Sequence, residues 1–173
     1  MMKQSTNIFL VGPMGAGKTS VGRQLAKALK RDFVDSDKEI EERTGVNIPT
    51  IFDIEGEKGF RSRESLVIDE LSQRTGLVLA TGGGAVLAQA NRVALQSRGI
   101  VIYLHGSIEQ LYQRTHRDRN RPLLQTDNPK QRIAELLEQR DPIYREVSDH
   151  IIETDGQTVR KVVTEIMQKL SED

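Results

Sequence analysis

An α/β domain, with helices covering both faces of a parallel sheet, is the fold class this sequence predicts, and three observations predict it. Short apolar runs alternate along the chain with segments of helical periodicity. The first apolar run ends in a glycine-rich loop that opens directly into a helical segment. No internal repeat, low-complexity tract or linker breaks the 173 residues, a length that suits one core and a single domain spanning 1–173.

Asn7 to Val11 (NIFLV) reads as a buried strand, and Val21, Leu25, Ala28 and Leu29 keep helical spacing after the loop. Asp32 to Asp35 is a second short strand, followed by a charged helix near Lys38 to Arg43 that Gly45 closes. Phe60, Glu64, Val67, Ile68 and Leu71 mark the next helix. Leu77 to Ala80 is the third strand, running into Gly82-Gly83-Gly84, with a helix near Gln89 to Ser97 beyond it. Ile100 to Leu104 is the fourth strand, and Ser107 with Gln110 forms a capping-box pattern that opens a helix over Ile108 to Thr115. His116 to Pro129 is polar and aperiodic, a loop long enough to be functional or disordered. Ile133, Leu136 and Leu137 mark a further helix, and His150 to Glu153 a fifth, edge strand. The stripe Val159, Val162, Val163, Ile166, Met167 and Leu170 traces the last helix.

Composition narrows the function classes. Hydrophobic residues make up 36% and charged residues 29%, the balance of a globular chain. Lys+Arg and Asp+Glu are both 25, so the net basic face that broad nucleic-acid binding requires is not expected. The absence of cysteine excludes disulfides and thiolate metal sites and suits a cytoplasmic protein. No apolar stretch approaches the roughly 18 residues of a membrane span.

Gly12-Pro13-Met14-Gly15-Ala16-Gly17-Lys18-Thr19 matches the phosphate-binding P-loop pattern at every required position. Backbone N–H groups must approach phosphate oxygens closely, and Gly12, Gly15 and Gly17 remove side chains and permit positive φ. The following helix points its positive N-terminus at the anion. Lys18 can reach the β- and γ-phosphates, and the Thr19 hydroxyl, followed by Ser20, can ligate Mg²⁺. Nucleotide binding is the firmest functional expectation.

Other charged groups fall at strand ends, where ligands sit in open α/β sheets. Asp35-Ser36-Asp37 offers two carboxylates at i and i+2, one for Mg²⁺ and one to accept a hydroxyl proton; a helix N-cap is the plainer alternative. Gly82, Gly83 and Gly84 either let a substrate lie on bare backbone or form an ordinary turn. Arg61 has Glu64 three residues on to hold its fork, or makes a solvated ion pair. Arg140 continues the stripe of Ile133, Leu136 and Leu137, so it faces inward and requires an anion, from a ligand or from a protein carboxylate. Arg114, Arg117, Arg119 and Arg121 cluster where the long loop begins, which reads as a mobile lid over about 112–128 rather than a nucleic-acid arm, since the loop His116 to Pro129 has no Phe, Tyr or Trp to stack on bases. His105, His116 and His150 have no metal-ligand spacing.

Taken in order, GPMGAGKT, DSD, FRSRE, GGG, RPLL and RDPIY resemble the shikimate kinases, most closely the bacterial type-1 enzymes, over about Asn7 to Leu170. The resemblance implies a three-layer P-loop fold with a five-stranded parallel sheet in the order 2-3-1-4-5. It implies transfer of the ATP γ-phosphoryl group to the 3-hydroxyl of shikimate, in the pathway toward chorismate and the aromatic amino acids. It also implies Lys18, Asp37 and Arg121 as catalytic groups. ATP would be held by Gly12 to Ser20 with Arg114, Arg121 and Gln157, and Mg²⁺ by Thr19 and Asp35. Shikimate would be held by Asp37, Arg61, Gly82, Gly83, Gly84 and Arg140, in a helical region of about 37–64 together with the triple glycine and Arg140. Gln157 stands where some relatives place Arg, and Lys-Thr-Ser replaces the commoner Lys-Ser-Thr. ATP and shikimate are the expected partners and a monomer the expected state. Two other functions fit the residues in part: a kinase for another polyol acid such as gluconate, and a nonenzymatic ATP-binding switch.

Overall fold

The computed structural model describes residues 5–116, 122–124 and 126–173. Five parallel strands form one sheet in the order β2-β3-β1-β4-β5: β1 (Asn7–Val11), β2 (Asp32–Asp35), β3 (Leu77–Ala80), β4 (Gly99–His105) and β5 (His150–Glu153). The helices are α1 (Lys18–Leu29), α2 (Ser36–Thr44), α3 (Ile48–Ser72), α4 (Gln89–Arg98), α5 (Ile108–Thr115), α6 (Pro129–Val147) and α7 (Val159–Ser171). Every strand expected from the sequence is present, in the order implied by the resemblance.

Strand alternation splits the apolar residues into two cores. Ile8, Leu10, Val78, Ile102 and Leu104 face one way and pack with Leu25, Leu111, Val162 and Ile166 of α1, α5 and α7. Phe9, Val11, Leu79, Val101 and Tyr103 face the other way, against Ile40, Phe60, Ile68 and Leu95 of α2, α3 and α4. α6 belongs to both, with Ile133 and Leu136 in the first core and Tyr144 and Val147 in the second. Arg140 lies between them. Asn7 fastens the sheet at its base: its amide donates to the Ser72 and Arg74 carbonyls, and its oxygen accepts from the Leu77 N–H.

Three local features depart from the sequence reading. α3 begins at Ile48, not near Phe60, because Asn47 caps it through Thr50 N–H and Pro49 suits the first turn. A break at Gly56, with φ 73, divides the helix and hides its continuity from any single periodicity. A 3₁₀ turn, Ala85–Leu87, follows the triple glycine, and another, Pro122–Leu124, precedes α6. The capping box of α5 is half formed. Ser107 accepts from the Gln110 N–H, but the Gln110 side chain goes to Thr154, and the Ser107 N–H is taken by Asp155.

Candidate active site

The P-loop, Asp35 to Asp37 and the triple glycine follow β1, β2 and β3, so strand pairing brings all three to the carboxyl edge of the sheet. Helix α1 starts at Gly17 in a left-handed conformation with no side-chain cap, which leaves its first N–H groups directed toward the loop. Gly12, Gly15 and Gly17 have φ of 145, 85 and 94, as expected of the loop. Packing demands them as well: a Cβ at Gly12 would lie 2.6 Å from the Leu104 carbonyl oxygen, and one at Gly15 2.8 Å from Thr115 Cγ2. The Lys18 ammonium is buried and donates to the Gly12 and Pro13 carbonyls at 2.6 and 2.8 Å. Arg114 Nη1 donates to the Gly15 carbonyl at 3.2 Å, so this arginine lies on the loop.

An open cavity of about 590 Å³ runs above the loop, lined by Met14, Lys18, Thr19, Ser20, Asp35, Asp37 and Arg114 among others. Ala16 is buried beneath it, and Pro13 lines a neighbouring apolar cleft. Gln157 is not among the lining residues; it is held at the end of β5 by the Glu153 carbonyl at 2.5 Å. Arg121, with Arg117 and Arg119, lies outside the described residues.

Thr19 Oγ1 donates its proton to Asp35 Oδ2 at 2.6 Å, while Asp35 Oδ1 caps α2 through the N–H groups of Asp37 and Lys38. The N-cap alternative is therefore met by Asp35 and not by Asp37. A hydroxyl that donates to a carboxylate keeps its lone pairs for a cation, so Thr19 and Asp35 fit Mg²⁺. No group of three or more His, Cys, Asp or Glu that could hold a metal occurs among the described residues, and Mg²⁺ bound chiefly through phosphates and waters requires none.

A second cavity, about 430 Å³, adjoins the first; Asp37, Arg61, Glu64, Gly84 and Arg140 are among its lining residues. Met14, Asp37, Gly82 and Gly83 line both cavities. A Cβ on Gly82 would lie 2.7 Å from Asp37 Oδ1 and 2.8 Å from Glu64 Oε2, and one on Gly84 would lie 2.7 Å from Arg61 Cζ. The glycines thus make room for protein side chains as much as for a ligand. Of the three amides one is already used: the Gly82 N–H donates to Ser36 Oγ at 3.1 Å.

Arg140 is 5% exposed, as the stripe of α6 predicts. Among the described residues no carboxylate lies within ion-pair distance of it; Glu64 is the acidic group on which its charge acts. Arg61 pairs with Glu57 at 3.3 Å and with Glu64 at 2.9 Å. Glu64, entered in the sequence reading only as a brace for Arg61, is itself part of the cavity wall and 1% exposed. Burial pushes its carboxyl up to about 7, against the pull of Arg61, with the neighbouring Asp37 charge adding to the rise and Arg140 opposing it. Its membership in the α3 stripe was the sequence signal that it faces inward.

The shikimate kinase family model matches residues 14–171. The chain belongs to the shikimate kinase family. Its activity is that of this family, an ATP-dependent phosphotransfer. The shikimate kinase of Pseudomonas savastanoi pv. phaseolicola is 61% identical over 96% of both chains. That of Thioalkalivibrio sulfidiphilus is 58% identical over 95% of this chain and 87% of its own. A solved shikimate kinase from Acinetobacter baumannii, in complex with shikimate, superposes with a TM-score of 0.96 at 55% identity, covering 97% of this chain and 94% of that one. A gluconokinase from Sinorhizobium meliloti, at 18% identity and a TM-score of 0.61, shares the fold alone. No helix among the described residues is long and apolar enough to cross a membrane.

Proposed function

We propose that this kinase moves the γ-phosphoryl group of ATP onto the 3-hydroxyl of shikimate, with the nucleotide in the P-loop cavity and shikimate in the adjoining one. The observation that carries this reading is that Asp37 lines both cavities. A carboxylate at that junction can take the proton from an attacking hydroxyl on one side as the phosphoryl group arrives from the other.

The loop amides, the N-terminus of α1 and Lys18 hold the phosphates, with Lys18 leaving its loop carbonyls for phosphate oxygens. Thr19 and Asp35 hold Mg²⁺, which neutralises charge on the phosphates when bound. Arg61 and Arg140 grip the shikimate carboxylate, and the glycine turn supports its ring. That Arg140 is buried with no carboxylate among the described residues within ion-pair distance favours a ligand anion over the alternative. The A. baumannii relative, solved with shikimate, supports the same acceptor. The stretch of about 112–128 serves as a lid, with Arg121 stabilising transferred charge and Arg114 against the loop; Gln157 flanks the adenine. The chain works as a monomer, since each motif lies within it.

ADP release with Mg·ATP, compared for shikimate, gluconate and no acceptor, tests the proposal. Release that depends on shikimate is the expected result. Release with gluconate alone overturns the acceptor, and ATP binding with no acceptor-dependent release favours a nucleotide switch.

A further inference from the structure

Arg140 and Gly83 both line the acceptor cavity, and one side chain behind that lining joins them. Tyr144 is fully buried. Its hydroxyl donates to the Gly83 carbonyl at 2.5 Å. Arg140, one helical turn earlier on α6, lines the same cleft as the phenol and acts on it with its charge, and its Nη1 lies 3.7 Å from where a Gly83 Cβ would stand. A phenol oxygen that donates its proton to the glycine carbonyl keeps its lone pairs toward a neighbouring cation, so one atom can serve both the glycine peptide and the charge of Arg140.

The ring is held from the sheet side. It packs on Tyr103 with centroids 4.9 Å apart, and the Tyr103 hydroxyl donates to Asp141 Oδ1 at 2.6 Å. Arg145 Nε holds the other Asp141 oxygen at 2.8 Å. Phenylalanine would fill the same apolar space, so burial of a ring does not account for the oxygen.

We propose that Tyr144 is a positioning residue for the acceptor: its hydroxyl sets the Arg140 guanidinium and the Gly83 peptide in one mutual register. The arm that grips the acceptor carboxylate and the backbone beneath the ring are then placed together. This rests on the reading that Arg140 and Gly83 bind the acceptor. Tyr144 touches no reacting group, and its effect is on acceptor affinity.

The test compares steady-state constants of the whole enzyme with those of Tyr144→Phe, Tyr103→Phe, Arg140→Lys and the double variant Tyr144→Phe/Arg140→Lys. Tyr144→Phe is expected to raise KM for shikimate roughly tenfold, the effect of one buried hydrogen bond. KM for ATP should stay near that of the parent. Tyr103→Phe also removes a hydroxyl but keeps the Tyr144 bridge, and should leave KM for shikimate unchanged. With Arg140→Lys in place, Tyr144→Phe should add much less than it does alone, because the two act as one unit.

The proposal is overturned if Arg140→Lys raises KM for shikimate and Tyr144→Phe does not. It is overturned equally if Tyr103→Phe matches Tyr144→Phe, or if KM for ATP rises in step. Should Arg140→Lys leave KM for shikimate unchanged, the acceptor reading itself falls, and the positioning role with it. Should Tyr144→Phe fail to fold, parent enzyme carrying ζ-¹³C tyrosine decides. One of the three tyrosine signals should shift with shikimate and not with ADP. It is assigned to Tyr144 by elimination with Tyr103→Phe and Tyr112→Phe. No shikimate-dependent shift at Tyr144 overturns the proposal.

Discussion

Arg61 and Glu64 stand one turn apart on α3 and form an ion pair at 2.9 Å whose two ends sit in different surroundings: 22% of the arginine side chain is exposed and 1% of the glutamate. Glu64 is thus ionised at the expense of hydration, and its carboxyl is raised to about 7. Its Oε2 has no hydrogen-bond partner among the described residues.

This relationship makes the stability of the ligand-free enzyme depend on pH. Below the ordinary glutamate range both folded and unfolded chains hold the Glu64 proton. From about 4.5 to about 7 the folded chain holds it more tightly, so stability falls as pH rises through that window and levels off above it. Buried as it is, Glu64 contributes a loss on the order of 3 kcal/mol. Glu64→Gln should flatten this component, read as the urea midpoint against pH for both proteins; an unchanged slope contradicts it.

Gly82→Ala should damage the site and not the fold. Its Cβ would press on Asp37 Oδ1 and Glu64 Oε2 together, the ends of two side chains that can give way only by leaving their places in the cavity wall. Displacement of a reacting carboxylate by an ångström costs roughly 100-fold in kcat. Far-UV circular dichroism should stay that of the parent while kcat drops.

Asp37→Asn keeps the shape and removes the carboxylate proposed to accept the hydroxyl proton. Loss of a general base predicts a kcat lower by roughly 10²–10⁴-fold, with ATP binding measured by calorimetry near that of the parent. Near-normal turnover would leave the junction carboxylate without a catalytic part.

Lys18→Ala and Arg140→Ala should separate the two cavities. Lys18→Ala removes charge stabilisation on the phosphates and should lower kcat roughly 10²–10³-fold. Arg140→Ala should raise KM for shikimate roughly 10–100-fold, the range for one hydrogen bond to a charged group, with KM for ATP little changed. Equal loss for both substrates would remove Arg140 from the acceptor cavity.

Most of the site's residue types were legible because each carries a local signature. The P-loop has fixed glycine spacing, and Arg140 continues an apolar stripe that forces it inward. Less legible were the residues whose part depends on distant partners. Ser36 entered only as the middle residue of Asp35-Ser36-Asp37, yet its hydroxyl takes the Gly82 N–H from 46 positions away. Tyr144 entered only as the last residue of RDPIY, and its hydroxyl reaches Gly83, 61 positions away. The first half of α3 went unread because the break at Gly56 interrupts its periodicity.

The sequence by itself determined the alternation of strands and helices, the phosphate loop and the inward faces of α1, the second half of α3, α6 and α7, since hydrophobic period, capping residues and glycine spacing are properties of neighbouring residues. Only the tertiary structure decided that Asp35 and not Asp37 caps α2, that Glu64 is a wall of the second cavity, and that the Tyr144 phenol reaches the Gly83 carbonyl. Those outcomes depend on parallel pairing that sets the ends of β1, β2 and β3 side by side and on α6 crossing between two cores, and contacts made across the fold leave no periodic trace in the chain.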